Sequence, residues 1–250
     1  MNYVLVIVME KFKILLVTII FLSIVCYAES EYNVFQIPQF PQIPNAESSS
    51  DTQTLFILDY SNSMNEMLLD KTKYRLLLES IKTLLPQIAN TKIGVRIYGH
   101  RWGITPLDAC RASSLVIPIS ENNPYYITDT LKNFHPRGMT PITYSLKEAV
   151  KNDFANDNRQ KHIILITDGG ENCDESPCKY AMELIKYRKD IKIDVIALNI
   201  DNEDDLDQLK CTAVVTGGKL YSATTQAELI HNLKNTFNKS SKHVDAKVIY

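Results

Sequence analysis

From Thr54 onward the chain alternates short apolar runs with longer amphipathic segments. The runs TLFILD at 54–59, KIGVRIYG at 92–99, SLVIPI at 114–119, KHIILITD at 161–168, IKIDVIALNI at 191–200 and GKLYSA at 218–223 have the length and β-branched content of strands. Helical periodicity fills most of the intervals, at about 66–86, 124–134, 141–153, 178–189, 204–215 and 225–238. In the first of these, Leu68, Leu69, Tyr74, Leu76, Leu77, Ile81, Leu84 and Leu85 recur along one helical face. Strands joined through helices of this length imply right-handed crossovers and a parallel sheet covered on both faces. The interval between 99 and 114 has no helical pattern, which predicts one antiparallel edge strand. The predicted fold class is therefore α/β: a doubly wound, mostly parallel six-stranded sheet with one antiparallel edge strand, over residues 52–238.

The flanks are different in kind. MEKFKILLVTIIFLSIVCYAES, from Met9, places two lysines before an apolar run and Ala28 before Glu29, the layout of a cleaved secretory signal over residues 1–28. Starting at Met1 puts an apolar stretch ahead of the lysines, so Met9 is the expected initiator. The run is shorter than the ~20 residues that span a bilayer, so an uncleaved anchor is the weaker alternative. Residues 29–51, which include FQIPQFPQIPNAESSS, form a Pro/Ser-rich linker, and 239–250 a tail. Export leaves Cys110, Cys173, Cys178 and Cys211, an even number in an oxidising compartment, which predicts two disulfides rather than a zinc site. Three pairings are open, with a lean toward Cys173–Cys178 and Cys110–Cys211. The expected location is secreted or periplasmic.

A formal charge of -2 over 250 residues gives no electrostatic reason to expect nucleic acid. No GxSxG elbow or phosphate-cradling glycine loop is visible, and the second position after Asp59 is Ser61 where phosphoryl-transfer enzymes place an acid, so no catalytic residue is predicted. In an open α/β sheet, ligands bind outside the carboxyl ends of the strands. Three motifs fall there: Asp59, Ser61 and Ser63 after the first run, Thr140 in RGMTPI, and Asp168 in LITDGGENC. Each has a bland reading, Ser63 with Glu66 as a capping box, Thr140–Pro141 as a helix start, and Asp168–Gly169 as a turn. Together they offer two carboxylates and three hydroxyls, the hard oxygen donors suited to Mg²⁺, with Mn²⁺ and Ca²⁺ as alternatives. His100 and Arg101 lie at the same rim, with a hydrogen-bonded loop role preferred for the histidine. DNEDDLD at 201–207 reads as acids favoured by a helix start.

In this order and context, Asp59, Ser61, Ser63, Thr140 and Asp168 resemble the metal-ion-dependent adhesion site of the von Willebrand factor type A domain. YGHR at 98–101, GMTPI at 138–142, DGGENCDESPC at 168–178, LKC at 209–211 and TGGKLYSA at 216–223 resemble an exported bacterial branch of it. The resemblance implies a metal held by Ser61 and Ser63, with Thr140, Asp59 and Asp168 acting directly or through water. It also implies a partner protein whose acidic side chain completes the coordination, and hence a non-enzymatic module of adhesion or complex assembly. The alternatives are a structural subunit of an envelope assembly that binds by a metal-independent face and, less favoured, a metal-dependent phosphoryl-transfer enzyme.

Overall fold

The computed structural model describes residues 52–155, 157 and 159–238; the predicted signal, linker and tail lie outside the described residues. Among the described residues there are eight strands: β1 Gln53–Asp59, β2 Met67–Leu68, β3 Lys71–Thr72, β4 Lys92–Tyr98, β5 Ser113–Glu121, β6 Lys161–Thr167, β7 Ile191–Leu198 and β8 Leu220–Ala223. Seven α-helices accompany them: α1 Lys73–Leu84, α2 Pro106–Ala109, α3 Pro124–Leu131, α4 Ile142–Glu148, α5 Pro177–Leu184, α6 Glu203–Val215 and α7 Gln226–Phe237. The main sheet has six strands in the order β5-β4-β1-β6-β7-β8. All neighbours run parallel except β4 and β5, so the antiparallel edge strand is where the pattern placed it.

All seven residues of β1 are buried, because it lies centrally and is covered on both faces. Phe56 and Leu58 point into one core with Leu76, Leu77, Ile81, Leu229 and Leu233, which belong to α1 and α7. Leu55 and Ile57 point into the other with Ile142, Leu146, Leu184, Leu209 and Ala213, from α4, α5 and α6. The period-two alternation of one strand thus serves two helical layers. From β1 the chain crosses to β4 on one side, and β6 returns to its other side. This reversal opens a crevice at the carboxyl end of β1, where Asp59 is the last strand residue.

Two expectations are corrected. The helix predicted from 66 begins at Lys73: a 3₁₀ turn at Asn62–Asn65 and the β2–β3 hairpin precede it, with Leu69 in the left-handed region at φ 62°. The apolar Leu68 and Leu69 matched a helical stripe, but the turn at 69–70 takes them out of it. The disulfides join Cys110 to Cys173 and Cys178 to Cys211. Cys178 lies in the first turn of α5, beside α6 and its Cys211, whereas the 168–176 loop runs along the rim toward Cys110. Chain proximity of Cys173 and Cys178 was a poor guide because a helix starts between them.

Candidate functional site

Asp59 is fully buried, and its carboxylate is fixed on both oxygens. Ser61 N donates to Oδ1 at 2.7 Å and Thr167 Oγ1 donates to Oδ2 at 2.8 Å. Burial, then the charge of Asp168, push its pKa up to about 6 against the pull of these hydrogen bonds. Tyr98, its register partner on β4, is also fully buried; its hydroxyl has no hydrogen-bond partner among the described residues, and burial pushes it well above the ordinary phenol range.

Beyond Asp59 the chain stays extended through Ser61, which bridges in parallel to Gly138, and Asn62 N donates to Gly138 O at 3.0 Å. The 3₁₀ turn that begins at Asn62 then brings Ser63 back toward Ser61, their hydroxyls 3.0 Å apart, so the convergence comes from the turn and not from continued extended chain. Ser63 Oγ then donates to Asp168 Oδ1 at 2.8 Å, closing a contact across 105 residues.

The segment carrying Thr140 is seated against this turn through bare backbone. Gly138 N and Arg137 N both donate to Gly99 O. Gly99 has φ +70°, and a Cβ there would lie 2.6 Å from Ser61 N and 2.7 Å from Met139 O. Only glycine lets the two loops approach so closely. Thr140 itself is buried, and its N–H donates to Asn172 Oδ1 at 2.7 Å. Glu171 accepts from Thr143 N at 2.7 Å and Cys173 N at 3.0 Å, and burial raises its pKa against those bonds. The Cys110–Cys173 bond anchors the same loop to the β4–β5 connection. Asp59, Ser61, Ser63 and Asp168 are therefore linked directly or through one residue, and Thr140 lies two residues beyond Gly138, which bridges to Ser61, with its N–H held by Asn172.

Several contributors were not foreseen. Thr167 orients Asp59, Asn172 orients Thr140, and Lys73 Nζ donates to Asp168 Oδ2 at 2.9 Å and to Glu66 Oε2 at 2.8 Å. Burial pulls the lysine pKa down, but these two carboxylates outweigh it and the net shift is upward. A lysine at the first position of a helix opposes the macrodipole, which is a sequence signal for a carboxylate partner once the helix start is known. The capping box does not form: Glu66 serves Lys73, and its N–H donates to Ser63 O. His100 bonds Ser114 Oγ at 3.2 Å and packs edge-on to Phe134, a loop role as expected, while Arg101 pairs with Asp108. Asn202 caps α6, with Glu203, Asp204 and Asp205 in its first turn.

No family model matches the chain. YwmD of Bacillus subtilis (strain 168), itself uncharacterised, is 28% identical over 190 residues, covering 73% of this chain and 84% of YwmD. A von Willebrand factor type A protein from Catenulispora acidiphila superposes with a TM-score of 0.57 at 16% identity, over 75% of this chain and 42% of that one. The fold is that of a von Willebrand factor type A domain. Proximal thread matrix protein 1 from the mussel byssus, in the form with a zinc-occupied MIDAS motif, matches with a TM-score of 0.57 at 18% identity over 74% of this chain. The match spans 44% of the mussel chain, less than half its length. Among the described residues no helix is long and apolar enough to cross a membrane.

Proposed function

We propose that this domain binds a divalent cation through Asp59, Ser61, Ser63, Thr140 and Asp168, and through that cation an acidic side chain of a partner protein, outside the reducing cytosol. The observation that carries the reading is the oxygen spacing. Ser61 Oγ to Ser63 Oγ is 3.0 Å and Ser63 Oγ to Asp168 Oδ1 is 2.8 Å. Neighbouring ligands of an octahedral Mg²⁺ at ~2.0–2.1 Å lie about 2.9 Å apart, so each of these two contacts has the length of one coordination edge. Asp59, pinned by Ser61 N and Thr167, suits a ligand that acts through water. Two carboxylates roughly neutralise one divalent ion, and the neutral hydroxyls leave it attractive to an outside carboxylate. The zinc-occupied motif of the mussel protein supports the same use of this fold. Two disulfides support an oxidising location.

The rim also presents apolar side chains to solvent. Trp102, Ile104 and Leu107 are 71%, 97% and 63% exposed on the β4–β5 connection. Exposed large apolar groups on a loop fixed by the Arg101–Asp108 pair and a disulfide suit a protein interface. They also favour a second reading, docking by this apolar surface without metal.

Isothermal titration with Mg²⁺ and Mn²⁺ tests the first reading. Binding is expected in the parent domain and absent in Asp59→Ala and Asp168→Ala, with circular dichroism unchanged. Equal binding in both variants overturns it. A partner complex that survives chelator favours the apolar alternative.

A further inference from the structure

Lys73 stands out because its surroundings are costly to build. Its side chain is 7% exposed, and the Asp168 carboxylate that it meets is 0% exposed. A buried ammonium is tolerated only when paired, and at the first residue of α1 it also faces the positive end of the helix. The β2–β3 hairpin brings it there: Lys73 N donates to Glu66 O at 3.0 Å, closing the hairpin, and Glu66 Oε2 supplies the second acceptor for Nζ. Asp168 is thereby divided. Oδ1 faces Ser63, and Oδ2 is held by the ammonium.

Resting on the cation-binding reading above, we propose that Lys73 is a tethered cation that offsets the charge of Asp168 and sets the domain's affinity for divalent ions low. An ion beside Oδ1 sits within a few ångströms of a fixed positive charge, and their repulsion is weakly screened in a buried setting. The same contact holds Oδ1 in place toward Ser63, so Lys73 is a positioning residue. Glu66 is 66% exposed and competes with Asp168 for the ammonium. It acts as the counterweight: the more Nζ is drawn toward Glu66, the less of its charge bears on Asp168.

The test uses Mn²⁺ alone as the probe, with titration calorimetry and thermal unfolding in Mn²⁺ and in chelator. Lys73→Met is expected to bind Mn²⁺ about tenfold more tightly than the parent. Lys73→Arg, which keeps the charge, is expected to stay within about threefold. In chelator Lys73→Met unfolds at a lower temperature because Asp168 has lost its partner, and Mn²⁺ restores it; a merely structural lysine would give the same loss in both conditions. Glu66→Gln, at an exposed position that does not endanger folding, is expected to weaken Mn²⁺ binding about threefold. Parent binding with no tightening in Lys73→Met and no weakening in Glu66→Gln overturns the role of Lys73 alone. Failure of the parent and both variants to bind Mn²⁺ overturns the cation reading as well.

Discussion

The two ends of the sheet both carry buried charge, yet they treat it differently. Near the amino ends of β6 and β7, Asp194 accepts from His162 Nε2 at 2.7 Å, Lys192 Nζ at 2.6 Å and Lys219 N at 2.7 Å. Lys161, with no side-chain exposure, lies between Asp157 and Asp190. There each of these carboxylates meets fixed donors of opposite or partial positive charge. At the carboxyl ends, Asp59 and Asp168 stand among hydroxyls and a single ammonium, and burial with mutual repulsion keeps Asp59 reluctant to ionise. The closed end contributes stability. The open end holds unspent electrostatic demand, which is what an ion-binding site requires.

The largest expected effect separates the two disulfides. Removing either as a paired Cys→Ala variant is expected to cost about 4 kcal/mol by loop entropy, since the loops span 63 and 33 residues. Only loss of Cys110–Cys173 should also weaken Mn²⁺ binding, because it loosens the loop whose Asn172 holds Thr140; calorimetry with urea unfolding separates the two. Next, Asp194→Ala strands three donors at the closed end and should cost about 3 kcal/mol while leaving Mn²⁺ affinity unchanged. Asp59→Asn at the open end should abolish Mn²⁺ binding at a cost below about 1 kcal/mol in chelator, since the amide keeps the Ser61 contact and removes a buried charge. An Asp59→Asn cost equal to that of Asp194→Ala would erase the distinction. The smallest effect is in pH. Burial holds the His162 pKa below its ordinary 6.5 despite Asp194, so its stabilisation is complete above pH 6.5 and falls away as pH drops through that value toward the folded-state pKa. The slope is at most about 1.4 kcal/mol per pH unit for one proton, and urea titration of the parent against His162→Gln reads it.

The mostly parallel, six-stranded sheet was legible because β1, β6 and β7 are largely buried and each carries a four-residue apolar run, at 55–58, 163–166 and 195–198. The approach of Asp59, Ser61, Ser63 and Asp168 at one rim was legible because Asp59 ends β1 and Asp168 directly follows β6, two strands that the pattern had already located. What escaped was set by tertiary contact. The hairpin at 67–72 borrows two leucines from a helical-looking stripe, and Lys73 then acquires a role through Asp168, 95 residues away. Thr167 and Asn172 act through single hydrogen bonds that no spacing announces. The disulfide partners depended on which way the 168–176 loop runs across the rim, a direction that sequence distance does not encode.

Trp102 is the chain's single tryptophan, and it sits largely in water on the rim loop. Its emission therefore has one origin and one environment. A partner that covers the rim would move that emission to shorter wavelength, whereas one that engages α5 or α6 would leave it where it was. The molecule carries its own optical gauge of which face is in use, and no label need be attached to consult it.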